Sequence, residues 1–157
     1  MGKRNRPSRH PPGRPKVELV QQLVNMRRVH PGFHSRIERG ILVSEGHLQP
    51  TALTQRYRVR IEYDGRRWPR AYVLDPALRR RSAAQRIAHS YSDTEPCLFT
   101  PAHRDWDRSM YVGQTIVPWL MEWIVFYETW LLTGEWLGGG TLPPEFDKPA
   151  AQGEPEA

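Results

Sequence analysis

The stretch HSYSDTEPCLFT, residues 89–100, contains the only cysteine of the chain, Cys97, one position after Pro96 and eight after His89. Three chemistries would use such a thiol. As a metal ligand it would be joined by His89 and His103, but neither a CxxC nor an HxxxH spacing accompanies them, so no metal site is expected. As a hydrolytic nucleophile it would need His89 or His103 as base and Asp93, Asp105 or Asp107 to orient that base. With six histidines in the chain such triples arise easily by chance. As a structural residue it would be a small buried hydrophobe. Pro96 drives Glu95 towards an extended backbone and SDTEP is polar and turn-like, which puts the thiol at the edge of a loop. Asp93 and Glu95 disfavour a thiolate there unless His89, His103 or Arg104 compensates. An accessible, weakly activated thiol suits acyl transfer from an already activated thioester better than attack on an amide.

Those side chains need a frame, and hydrophobic periodicity supplies one. In VELVQQLVNMRRV, residues 17–29, Val17, Val20, Val24 and Met26 or Arg27 fall near one helical face with Leu19 and Leu23 beside them. That predicts an amphipathic helix ending near His30-Pro31-Gly32. GILVSEG (40–46), YRVRIEYDG (57–65) and PRAYVLDP (69–76) follow as strands of a meander. YRVRIEY alternates Tyr57, Val59, Ile61 and Tyr63 with charged residues. From Leu78 to Met110 periodicity disappears, and so long a loop in a compact domain is often functional. TIVPWLMEWIVFYETWLLTGEWLGGG (115–140) predicts a long apolar helix with Pro118 in its first turn and Gly134 at its end. Glu122 and Glu128 would be costly at bilayer depth, so this is expected to be a buried helix across a sheet, with Trp119, Trp123 and Trp130 as packing bulk and no membrane role.

The net charge of +6 is unevenly spread. Residues 1–16 hold six Lys or Arg and no acid, and with their prolines are expected to form a disordered basic tail. Residues 145–157 are acidic on balance and also expected to be disordered, leaving one domain over 17–144. The domain itself is only mildly basic. A nucleic-acid interface would draw on Arg4, Arg6, Arg9, Arg58, Arg60, Arg66 and Arg67, but a solvated strand face accounts for the latter four, and no nucleic acid is required. The lone cysteine excludes an internal disulfide, and no apolar leader follows the basic start, so the expected compartment is the cytoplasm.

An N-terminal helix, a strand meander, the exit VLDPAL, a long loop with His89 before Cys97-Leu98, Trp106, and a long crossing helix together resemble the ubiquitin-conjugating enzymes. YRVRIEY (57–63), PRAYVLDP (69–76) and TIVPWLMEWIVFYETWLLTGEWLGGG (115–140) are most similar to the bacterial branch found in short type II CBASS antiphage operons. The resemblance implies an α+β, two-layer fold: a four-stranded antiparallel meander on a central crossing helix. It implies that Cys97 accepts the C-terminal tail of a cGAS-like nucleotidyltransferase as a thioester and passes it to a lysine or another nucleophile, with no cofactor and with the target left open. The family's His-Pro-Asn motif is broken, because Ser90 and Tyr91 follow His89. The missing Asn is associated with oxyanion stabilisation, a service worth about 3 to 4 kcal/mol. Tyr91, His103 and backbone N–H groups beside Cys97 are the candidates to replace it, with His89 bracing the loop, Trp106 packing beneath it and Asp105 or Asp107 capping a helix. The departure keeps a second reading open, an inactive adaptor that binds the nucleotidyltransferase without a covalent bond.

Overall fold

The computed structural model describes residues 13–100 and 105–139. The elements run α1 (Leu19–Val29), β1 (His34–Glu38), β2 (Ile41–Leu48), β3 (Tyr57–Tyr63), β4 (Arg70–Asp75) and α2 (Val112–Thr133). The four strands form one antiparallel sheet in the order β1-β2-β3-β4. The chain is thus α+β, a meander packed on a long helix. Three of its strands were predicted in place. The remaining one, HSRIE, is short and of mixed polarity, and only the sheet around it makes it a strand. It turns into β2 through Arg39 and Gly40, both at positive φ (51° and 75°), as a two-residue hairpin with right-handed strand twist requires.

One face of the sheet is apolar because β3 alternates. Tyr57, Val59, Ile61 and Tyr63 are buried, and their register partners Leu48, Gly46, Ser44 and Leu42 on β2 and Val73 and Ala71 on β4 share that face. Gly46 is small because the Phe33 ring lies over it: a Cβ there would stand 2.6 Å from the ring carbons. On the other face Arg60 pairs with Glu62 (2.7 Å) and Glu45 (3.1 Å), and Arg36 with Glu38 (3.1 Å). These pairs take up two strand arginines, one of which, Arg60, was among the candidate nucleic-acid contacts.

α2 covers the apolar face with Ile116, Leu120, Trp123, Ile124, Tyr127 and Trp130, all buried. It begins at Val112, so Pro118 lies inside it and not in its first turn, and the N-cap is Tyr111, not Asp105 or Asp107. Gly134 ends it as predicted, at φ 82° with its N–H donating to the Trp130 carbonyl at 2.8 Å.

Only part of the face expected of α1 is buried, Met26 and, just before the helix, Val17. Val20 and Val24 are 64% and 60% exposed, whereas Gln22, Asn25 and Met26 are buried. The polar residues go inside because the start of α2 offers them partners. The Gln22 amide donates to the Met110 carbonyl (2.8 Å) and accepts from the Val112 N–H (2.9 Å), one of the donors a helix start leaves unpaired. Gly113 permits the close approach, since a Cβ there would meet Met26 and Val29 at 2.9 Å. Among the described residues, no helix is long and apolar enough to cross a membrane.

Candidate functional site

Between β4 and α2 the described chain forms no helix or named strand, but residues 89–97 are tightly ordered. The Tyr91 N–H donates to the Glu95 carbonyl (2.8 Å), the Cys97 N–H to the His89 carbonyl (2.8 Å), and the Val73 N–H of β4 to the Thr94 carbonyl (2.9 Å). Ser90 and Pro96 pair as an isolated antiparallel bridge. Sequence periodicity saw only an irregular loop here. The ladder is too short, and too rich in Ser, Asp and Pro, to leave a period-two signal.

His89 is the hub of this loop through its backbone. Its φ of 47° is left-handed, and its carbonyl accepts both the Cys97 N–H and the indole N–H of Trp123 on α2 (2.7 Å). The imidazole stacks on Trp136, with ring centroids 4.7 Å apart and planes 21° from parallel. Burial lowers its pKa below the ordinary histidine value, so the ring is neutral near pH 7. This geometry fits bracing, the role anticipated for His89 within the resemblance.

Cys97 is half-buried, and its thiol faces the Phe99 carbonyl at 3.5 Å. Burial pushes the thiol above its usual range, against a hydrogen bond from the Tyr91 side chain that favours the thiolate. Of the two nearby acids, Glu95 acts in the expected direction and raises the thiol pKa, but less than burial does. Glu95 is held by Arg70 in a bidentate pair (2.8 and 2.7 Å), and Asp93 by Arg80 in another (both 3.0 Å). Desolvation, not these carboxylates, dominates the shift.

The thiol opens into a cavity of about 330 Å³ bounded by the 89–97 loop, by one edge of α2 and by the chain after it. Trp119, Glu122, Trp123 and Phe126 line it from α2, with His89 and Trp136 opposite. The helical residues sit at i, i+3, i+4 and i+7, a spacing that gathers them along one side of the helix. Sequence reading had Trp119 and Trp123 only as packing bulk, and Glu122 only as an argument against a membrane span. Trp136, just past the Gly134 stop, was missed as a wall residue. The apolar residues of TGEWLGGG were the available signal.

Of the five candidate site residues, the structure gathers Cys97, His89 and Tyr91. His103 lies outside the described residues, as do most of the two tails. Trp106 is a core residue: it is buried, meets Tyr63 edge-on at 5.1 Å, and donates its indole N–H to Thr115 Oγ1 at 3.1 Å. Asp105 lines the cavity and accepts the Thr100 N–H at 3.2 Å, while Asp107 accepts the Ser109 N–H in a local turn.

A meander on a crossing helix, with a half-buried cysteine on a braced loop at the helix edge, is compatible with the ubiquitin-conjugating-like (E2-like) fold. The family model described as the Type II CBASS E2 protein matches residues 22–143, and the chain belongs to that family. No curated protein matches it.

Proposed function

We propose that this E2-like protein is a cysteine-dependent acyltransferase of CBASS antiphage defence, acting in the cytoplasm on the C-terminal tail of a cGAS-like nucleotidyltransferase. The supporting observation is that the chain's only cysteine lines an aromatic-walled cavity, on a loop tied to α2 by the Trp123–His89 hydrogen bond. The Cys97 thiol loses its proton, and its sulfur bonds to the carbonyl carbon of an activated C-terminal ester or thioester, whose leaving group departs. An amine, of a lysine or another acceptor, then attacks the thioester carbon. The C–S bond breaks, the thiolate returns to Cys97, and the amine proton passes to solvent or a base. Tyr91 is the side chain proposed to steady the sulfur or the oxyanion in place of the family Asn. The Cys97 N–H is committed to the His89 carbonyl and is not free for that task.

The elevated thiol pKa favours a second reading, an adaptor that docks the nucleotidyltransferase without bonding to it. Intact-protein mass spectrometry of the chain co-expressed with such a nucleotidyltransferase separates the two. A reductant-labile adduct present in wild type and absent from Cys97→Ala is the expected result. A stable complex of unmodified masses that also forms with Cys97→Ala would overturn the acyltransferase reading in favour of the adaptor.

A further inference from the structure

The cavity beside Cys97 has a distinct chemical character. Its walls carry the rings of Trp119, Phe126 and Trp136, and the only ionised groups lining it among the described residues are the carboxylates of Asp105 and Glu122. The remaining titratable wall groups are His89, whose pKa burial lowers, and Cys97, whose pKa burial raises, and both shifts favour the neutral form. Glu122 is exposed and has neither a hydrogen bond nor an ion pair among the described residues. Aromatic faces and a carboxylate both attract cations, and in one concave site the two attractions act together. A purely apolar guest would bury the Glu122 carboxylate with no compensation, and an anionic one would be repelled.

The cavity is also long. Trp119 contacts Phe99 at one end (ring centroids 6.0 Å apart) and Phe126 contacts Trp136 at the other (5.8 Å). Trp119 and Phe126 are seven positions apart on the helix, about 10 Å of rise, which matches roughly three residues of extended chain. It has room for a short stretch of peptide, beyond the one carbonyl that would bond to sulfur.

We propose that this cavity is a cation-binding subsite that receives a lysine or arginine side chain from roughly the last three residues of the acyl-donor chain. The assignment of the cation to a donor rests on the thioester reading. The cation preference of the cavity does not.

Cys97 is the only thiol, so its reactivity reads the cavity without ambiguity. The first measurement compares its rate of modification by trimethylammonioethyl methanethiosulfonate with that by the sulfonatoethyl analogue, relative to N-acetylcysteine amide at low salt. The cation-to-anion rate ratio is expected to exceed the reference by about tenfold, to fall by about threefold in Glu122→Gln, and to stay unchanged in Glu38→Gln on the far sheet face. A ratio equal to or below the reference, or one insensitive to Glu122→Gln, overturns the subsite. The second measurement compares Cys97 acylation by arylthioesters of the tripeptides Lys-Ala-Ala and norleucine-Ala-Ala. Faster acylation by the lysine peptide supports the donor assignment, and equal rates overturn it. Acylation by neither peptide counts against the thioester reading, while the thiosulfonate ratio still decides the subsite.

Discussion

Trp123→Phe tests whether α2 holds the cysteine loop in place. The indole of Trp123 is 3% exposed and donates at 2.7 Å to the His89 carbonyl, which also receives the Cys97 N–H. Phenylalanine keeps an aromatic ring against Tyr127, which now lies 5.2 Å away with planes 6° from parallel, but it cannot donate. Loss of one buried hydrogen bond costs about 1 kcal/mol, because the carbonyl keeps its second partner. The missing ring atoms leave a small void worth about another 1 kcal/mol in transfer and cavity terms. The sum, about 2 kcal/mol, corresponds to a melting temperature lowered by about 6 °C for a domain of this size. Circular dichroism melts would give that figure, and native-state hydrogen exchange would localise it. The Cys97 amide, bonded to the same carbonyl, should exchange at least about tenfold faster, whereas Ile61 in the sheet should slow or speed only with global stability. A melting temperature within about 1 °C of wild type, or unchanged exchange at Cys97, would refute the view that this bond anchors the loop.

Four other predictions follow from the packing and the titrations. Gln22→Leu strands the Val112 N–H inside the α1–α2 contact and should cost about 2 to 3 kcal/mol in urea unfolding; a loss below about 0.5 kcal/mol would show that the bracket is idle. Gly46→Ala drives a Cβ into Phe33 and should cost about 2 kcal/mol, with partial recovery in the Gly46→Ala/Phe33→Leu pair, and no recovery would mean the clash lies elsewhere. Alkylation of Cys97 by neutral iodoacetamide should show a midpoint above that of a free thiol, and Tyr91→Phe should raise it further by removing a hydrogen bond that favours the thiolate; a fall in the midpoint would reverse the assignment. Stability should decline at both pH extremes. Burial lowers the His89 pKa, so its contribution is complete above pH 6.5 and is lost as pH falls below that value. Burial pushes the Tyr63 phenol up to about 12 from 10.0, so its contribution is complete below pH 10 and is lost as pH rises through about 12.

Much of the frame was legible because it rests on repetition. YRVRIEY alternates over a whole strand, and the Gly134 stop of α2 follows from a local rule, whereas its start at Val112 did not. What was illegible depended on partners distant in sequence. Hydropathy placed Val20 and Val24 inside, yet the interior position beside them belongs to Gln22, whose partners, Met110 and Val112, lie 88 and 90 residues away. Asp93 and Glu95 looked like unpaired charges beside Cys97, because Arg80 and Arg70, which neutralise them, lie 13 and 25 residues earlier.

The site divides along the same line, with a consequence for its chemistry. Cys97, His89 and Tyr91 were visible as residue types in one short stretch, but their roles follow from conformation. A histidine at φ 47°, with its ring stacked on Trp136 and its carbonyl occupied twice, braces a loop and is poorly placed to serve as a mobile base. The thiol it supports is pushed upward by burial and receives help from one tyrosine. A thiol with a raised pKa is sparsely ionised near neutral pH, but each thiolate is a better nucleophile than one with a depressed pKa. The gain in nucleophilicity only partly offsets the lost ionisation, so such a thiol is slow at neutral pH and best matched to an acyl group that is already activated. Under the proposed function the acyl donor would have to arrive already activated, and discrimination among donors would fall to the aromatic and acidic cavity beside Cys97.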